Sequence, residues 1–285
     1  MGGLYMSLAA GIWGGVFAVS KMILGIVQPM ELIFLRYLVA LVTLAMMTVV
    51  SKKSWKIRWR HFPRIAVVGT IGYAFSIWAQ FMGTKLSTAQ MGAMITSATP
   101  AFMVVFSRFF LHEKITVRKG FSVGLATVGV LMIIGVGSLR PAYELGGAIL
   151  VVAAITWALM SVLVKRVPQE YSQITVTMYA LLVATVIMSP FAVSQLAHTS
   201  LALWLNPGFW GGLLYMGIVS TAGAFFLWNK GLQLLDASTG GLFFFVQPLV
   251  GTFLGWLILG ENVGLPFWIG AALILFSVVL VLRNA

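Results

Sequence analysis

The sequence predicts an all-α integral membrane protein of ten transmembrane helices, arranged as two inverted-topology repeats of five. Three observations predict it. Of 285 residues, 60% are hydrophobic and 8% charged, with a mean hydropathy of +1.02, whereas about a quarter of a soluble domain is charged. Apolar runs of about 20 residues, the length that crosses a bilayer, recur along the whole chain. The chain also repeats itself. Residues 87–119 hold a small polar segment, an apolar run with a central proline, a glutamate and a basic end, and 235–261 follow the same plan as far as the glutamate. At an offset of 148, Ala89 meets Ala237, Gly92 meets Gly240, Pro100 meets Pro248 and Glu113 meets Glu261. Self-similarity of this kind marks a duplicated unit.

The ten runs fall at about 4–25, 30–50, 64–84, 89–110, 118–137, 145–165, 173–195, 208–230, 237–259 and 265–283. The first lacks a basic leading segment and is too long for a signal peptide core, so it is expected to stay as a span. Cysteine is absent, which removes disulfides, thiolate metal sites and thiol nucleophiles. With the N-terminus inside, 14 of the 18 Lys and Arg fall in inner loops or at the C-terminal end. Two, Lys85 and Arg140, fall outside, and Lys21 and Arg36 lie within spans. Positive charge accumulates on the cytoplasmic side, so both termini are expected in the cytoplasm, with the chain in a plasma or bacterial inner membrane. These loops account for the net charge of +12. No basic face on a folded domain is visible, and nucleic acid is not an expected partner.

The repeat runs through the whole chain. At an offset of 144, residues 9–13 meet 153–157, and Lys21 meets Lys165. Residues 1–140 and 141–285 thus form two halves of five spans each. Five is odd, so the second half enters the membrane from the opposite side. Inverted repeats place a substrate site near the midplane between the halves and exchange their conformations for alternating access.

The residues carry a resemblance. Trp-Gly-Gly-Val-Phe-Ala-Val-Ser-Lys at 13–21, Phe-Leu-Arg-Tyr-Leu at 34–38, the doubled Pro…Glu module and the closing Gly-Glu-Asn-Val-Gly-Leu-Pro-Phe-Trp-Ile-Gly-Ala-Ala-Leu-Ile-Leu at 260–275 resemble the EamA family of the drug/metabolite transporter superfamily. The resemblance covers essentially the whole chain. It implies secondary transport of small metabolites, often amino acids and often outward, rather than enzymatic activity. The related four-span multidrug antiporters carry a buried glutamate in their first span, where this chain has Trp13 and Gly14. That departure argues against proton-driven export of organic cations.

Pro100 and Pro248 sit mid-span, where proline frees the carbonyl four residues back, here those of Thr96 and Phe244. Such carbonyls line a wet cavity or find neighbours. The prolines are therefore read either as packing kinks or as gating kinks beside a cavity, with Thr96, Ser97 and Gln247 as cavity lining. Glycine pairs at Gly11/Gly15, Gly120/Gly124 and Gly251/Gly255 are expected to allow close helix approach. Trp13, Trp78, Trp157 and Trp228 lie deep. Core filling is their bland role, but Trp13 and Trp157 are repeat mates and make a natural wall for an organic substrate. Tyr73, Gln80 and Asn229 add polar handles. Lys21 and Arg36 are ionisable residues within spans, which are functional candidates by default. Neither Arg36 nor Glu31 is echoed in the second half, where positions 180 and 175 are Ala180 and Thr175. Arg36 either pairs with Glu31 or with carbonyls for structure, or receives a substrate carboxylate.

His61, His112 and His198 are scattered, and there is no phosphate-binding glycine loop, so no metal, cofactor or ATP drive is expected. The expected partners are a small-molecule substrate and the lipid bilayer, with the chain a monomer or weak homo-oligomer. A multidrug or nucleotide-linked metabolite carrier is the rival within transport. A membrane-embedded lipid-modifying enzyme would need a clustered acid/base or metal constellation at an interface, and the sequence offers none.

Overall fold

The computed structural model describes residues 1–87, 89–134, 144–196, 201–259 and 264–282, and all regular structure among them is helical. The helices are α1 (Gly2–Leu24), α2 (Pro29–Val50), α3 (Trp59–Leu86), α4 (Ala89–Thr96), α5 (Thr99–Leu111), α6 (Val117–Ile134) and α7 (Glu144–Arg166). They continue as α8 (Gln173–Leu196), the single turn α9 (Leu201–Trp204), α10 (Pro207–Leu234), α11 (237–259) and α12 (Leu265–Leu282). Among the described residues, the apolar runs of the sequence lie mostly on helix. Among the described residues, α2, α3, α7, α8 and α10 are long and apolar enough to cross a membrane. Shorter apolar stretches lie on α1, α5, α11 and α12.

The outside of the bundle is as apolar as its inside. On α2, Leu38, Val42, Met46 and Val49 are all exposed. Their spacing puts them on one stripe of the helix. Leu182, Val186 and Val193 do the same on α8. Contiguous exposed apolar surface of this kind belongs against hydrocarbon.

Local chemistry sets the helix ends. Pro29 occupies the first turn of α2, and Glu31 reaches back to the Gln28 amide at 2.6 Å in a capping box. Asn206 opens α10 by accepting from the Gly208 and Phe209 amides at 2.9 and 3.3 Å. Pro100 does not kink a continuous helix. The helix stops at Thr96 and restarts at Thr99, and Pro100 lies in the new first turn, where a missing N–H is harmless. The Thr96 carbonyl accepts the Thr99 hydroxyl at 2.6 Å. Around Pro248, α11 changes from a 3₁₀ turn over Leu242–Phe245 to α-helix from Val246.

The two halves interlock. α1 packs on α10 and α11, and its counterpart α7 packs on α3 and α5. α2 packs on a π-helical run of α10, Tyr215–Gly223, and α8 on a π-helical run of α3, Val68–Ser76. The two runs are each nine residues long and begin 147 residues apart (215 − 68). π-Helix is rare and tends to mark functional positions, and here it occurs twice at nearly the offset of the sequence repeat. Each run admits its partner helix through a bare backbone. A Cβ on Gly69 would strike the Ala180 carbonyl, and one on Gly217 would lie 2.5 Å from Val39 and 3.0 Å from the Arg36 carbonyl.

Of the expected glycine crossings, Gly251 makes a close helix approach and Gly120/Gly124 do not. Gly120 and Gly124 have nothing within 4 Å of a Cβ. The tight crossing joins Gly14 of α1 to α11, where a Cβ would lie 2.7 Å from the Gln247 carbonyl and 2.9 Å from the Gly251 amide.

Candidate central binding site

The Gly14–Gly251 crossing sets Trp13 beside Gln247. Gln247 Nε2 donates to the Trp13 carbonyl at 3.4 Å, and Trp13 Nε1 donates to the Ser220 carbonyl in the π-helical run of α10 at 3.0 Å. The Trp13 ring meets Trp157 edge-on at 5.3 Å and lies within 5.9 Å of Trp228, Phe225 and Phe244. Aromatic pairs prefer such edge and tilted arrangements. The repeat mates Trp13 and Trp157 therefore meet at the centre of an aromatic cluster drawn from both halves.

Beside this cluster is a chamber lined by Trp13, Val16, Arg36, Ile77, Gln80, Phe81, Trp157, Ser220, Phe225, Phe244 and Gln247. It is narrow, with room for little more than water between its walls. Arg36 supplies the one formal charge among these lining residues. The side chain is 2% exposed, and its Nε donates to Thr221 Oγ1 at 2.9 Å. Thr221 is held in turn by the Met216 carbonyl at 2.6 Å, five residues back on the π-helical run. The guanidinium carbon lies 5.1 Å from the Phe81 ring centre and 5.6 Å from that of Tyr37. Arg36 Nη1 is buried without a partner, as are Ser220 Oγ and Trp157 Nε1. Among the described residues no carboxylate lies within ion-pair distance of Arg36. Glu31 caps α2, and the side chain of Lys21 lies outside the described residues.

The other candidates divide. Gln80, Trp157 and Gln247 line the chamber with Trp13 and Arg36. Tyr73, Trp78, Asn229 and Trp228 are not among the lining residues. Asn229 Nδ2 donates to the Tyr73 hydroxyl at 2.8 Å and to Thr177 at 2.9 Å, and Tyr37 donates to the Tyr73 carbonyl at 2.6 Å. Trp228 is fully buried, its Nε1 donating to Ser161 at 3.1 Å. Trp78 packs beside Phe75 at 5.9 Å. The Thr96 and Ser97 hydroxyls donate to carbonyls of their own helix, Gly92 at 2.7 Å and Ala93 at 2.6 Å. They do not line the chamber.

Sequence reasoning missed Ser220, Thr221, Phe81 and Phe225, and noted Phe244 for its carbonyl rather than its ring. The repeat held a signal for two of them, because Ser220 and Phe225 stand 147 residues after Tyr73 and Trp78. Lys165, the repeat mate of Lys21, stands at the end of its span. Its Nζ donates to the Leu232 and Leu235 carbonyls at 2.8 and 2.5 Å, at the end of α10. Nearby, the halves are tied by Glu113, which accepts from the Ala237 and Ser238 amides at 2.8 and 3.0 Å and from the Ser238 hydroxyl at 2.6 Å. Lys119 joins the same contact, 3.3 Å from Asp236 and 2.7 Å from Ser238. Glu261, the repeat mate of Glu113, lies outside the described residues.

Apolar helices with hydrocarbon-facing stripes, interlocked around a chamber holding one buried cation, define a polytopic helical membrane protein with a central polar site. The sequence pattern of the EamA-like transporter family matches residues 1–135 and again 145–283, and the chain belongs to that family. It is similar to an uncharacterized transporter of Archaeoglobus fulgidus, at 25% identity over 99% of this chain and 98% of that one. It is similar also to the uncharacterized transporter YyaM of Bacillus subtilis, at 26% identity over 93% of this chain and 88% of that one. The permease-like protein YdzE of Bacillus subtilis is 69% identical over 71 residues, which is 25% of this chain and 91% of YdzE. A solved crystal structure superposes with a TM-score of 0.84 at 18% identity, covering 100% of this chain and 99% of the other. That likeness shows the fold.

Proposed function

We propose that the protein is a secondary transporter of small organic metabolites, most favourably an exporter of amino acids or similar compounds, working by alternating access in the cell membrane. The observation that carries this reading is Arg36, a buried guanidinium with an unpartnered Nη1 on the wall of an aromatic chamber. A guanidinium fork matches a carboxylate through two parallel hydrogen bonds, and the surrounding rings suit an apolar side chain.

The architecture supports the same reading. Ten helical runs in two halves, 1–140 and 141–285, with both termini on the positive, cytoplasmic side, make an inverted repeat. The exchanged contacts of α1 with α10 and of α7 with α3, and the paired π-helical runs, fit that symmetry. Pro100 and Pro248 serve as hinge points, since the backbone beside each departs from regular α-helix. The test is solute flux in proteoliposomes over an amino-acid panel, with and without a pH gradient. Saturable flux of at least one amino acid is expected. Absence of flux across the whole panel, with correctly folded and inserted protein, sinks the reading.

A further inference from the structure

We infer that the preferred substrate is a small monocarboxylate with an aromatic or apolar tail and no amino group, its carboxylate held by Arg36, Ser220 and Trp157. This rests on the transport reading above and departs from its preference for amino acids, keeping the carboxylate and leaving out the ammonium.

Charge carries the argument. Arg36 is the chamber's one formally charged lining residue, is 2% exposed and has no carboxylate at ion-pair distance among the described residues. An isolated buried cation is strongly disfavoured until a counter-charge joins it. A monoanion brings the chamber to neutrality. A zwitterion brings the same carboxylate together with an ammonium, which would share a low-dielectric space with the guanidinium. The lining offers that ammonium the side-chain amides of Gln80 and Gln247 and no carboxylate. The complex would keep a net positive charge, and like charges in such a medium repel strongly.

Hydrogen bonding points the same way. The three buried, unpartnered polar atoms on lining residues are Arg36 Nη1, Trp157 Nε1 and Ser220 Oγ. The first two only donate, and the third donates or accepts. Buried polar groups are nearly always paired in a native protein. Unpartnered donors on the lining of one chamber therefore call for an anion of several oxygens. Trp13, Phe225 and Phe244 form the adjoining apolar wall, and these rings must part to admit a ligand ring, because the chamber as it stands has room for little more than water. The faces of Phe81 and Tyr37 are already occupied by the guanidinium, which leaves fewer rings to receive an ammonium.

The test uses the full chain in lipid nanodiscs at pH 7 and compares four ligands by calorimetry. They are 3-phenylpropionate, phenylalanine, 3-phenylpropionamide and phenethylamine, which vary the two charges around one ring. The expected result is 3-phenylpropionate bound at least tenfold more tightly than phenylalanine, with the amide and the amine weaker than both. Phenylalanine binding as tightly as 3-phenylpropionate, or more tightly, overturns this inference and leaves the amino-acid transport reading standing. No binding of any of the four overturns it as well, and absence of flux across the amino-acid panel would then remove the broader reading too. Ser220→Ala and Trp157→Phe should each weaken 3-phenylpropionate three- to tenfold while changing phenylethanol, an uncharged ring ligand, by less than twofold. Equal losses for both ligands would make those residues structural and overturn their assignment. The four-ligand comparison on the unaltered protein decides the charge question even if Arg36 variants fail to fold.

Discussion

Arg36 is held from one side. Its Nε–H bond to Thr221 is charge-assisted and contributes about 1.5–3 kcal/mol. Its contacts with Phe81 and Tyr37 add about 0.5–2 kcal/mol each. Taking an ion out of water costs several kcal/mol even after relaxation, so these contacts offset the burial without removing the incentive to bind an anion. Lysine keeps the charge but loses the planar fork and the Nε donor. Arg36→Lys should fold, reach the membrane and bind carboxylate ligands about tenfold more weakly, roughly 1–2 kcal/mol. Arg36→Ala should lose transport. The informative readout is an amino acid against its carboxyl-amide analogue. If Arg36→Lys weakens both equally, the guanidinium is structural.

At the scale of elements, the most specific contact is the loop after α5 clasping the start of α11. His112 adopts left-handed backbone, φ 57°, and this turn brings Glu113 back over residues 237–238. Three hydrogen bonds from Ala237 and Ser238 converge on its carboxylate, in the position where helix N-termini favour negative charge. The site is part-exposed, so the contribution is about 1–2 kcal/mol rather than the buried value. Glu113→Gln should lower the melting temperature in mild detergent by a few degrees, and Glu113→Ala by more. Unchanged melting in both variants would show that the clasp adds nothing to stability. The break at Thr96 belongs to this scale too. Because Thr99 satisfies the Thr96 carbonyl, Pro100→Ala alone leaves that carbonyl occupied, and α4 and α5 are expected to stay separate.

Across the whole molecule, the exchanged packing of the two halves makes orientation the property to test. The absence of cysteine gives a clean background for labelling with an impermeant thiol reagent in intact cells. Cysteine placed at Ile26 or Leu205, both well exposed, should react from outside. Cysteine at Lys56 or Thr116, exposed at the opposite, basic end, should react only after permeabilisation. Outside labelling at 116 would reverse the orientation inferred from charge and break the ten-span topology.

Composition determined the solvent, because a chain 8% charged cannot cover itself in water. Run lengths located the helices, and the repeat suggested two halves, since each of these properties is local along the chain or a comparison of one stretch with another. Which residues meet was a different matter. Trp13 and Trp157 were legible as mates, Gln80 as a polar handle and Gln247 as cavity lining, because their types are uncommon in hydrocarbon. The acceptor for Arg36 was not, because Thr221 is 185 residues away and its hydroxyl is presented by a π-helical run that composition does not announce. Glu31 was one structural alternative as a partner for Arg36, though five residues apart aligns them poorly on one helix face, and the capping geometry of α2 engages it instead. Thr96 and Ser97 looked like cavity lining from their polarity, and the carbonyls of their own helix took up both hydroxyls. Burial, unpaired donors and the narrow chamber arise only when helices from both halves press together, because packing is a property of distance in space and the sequence records only order along the chain.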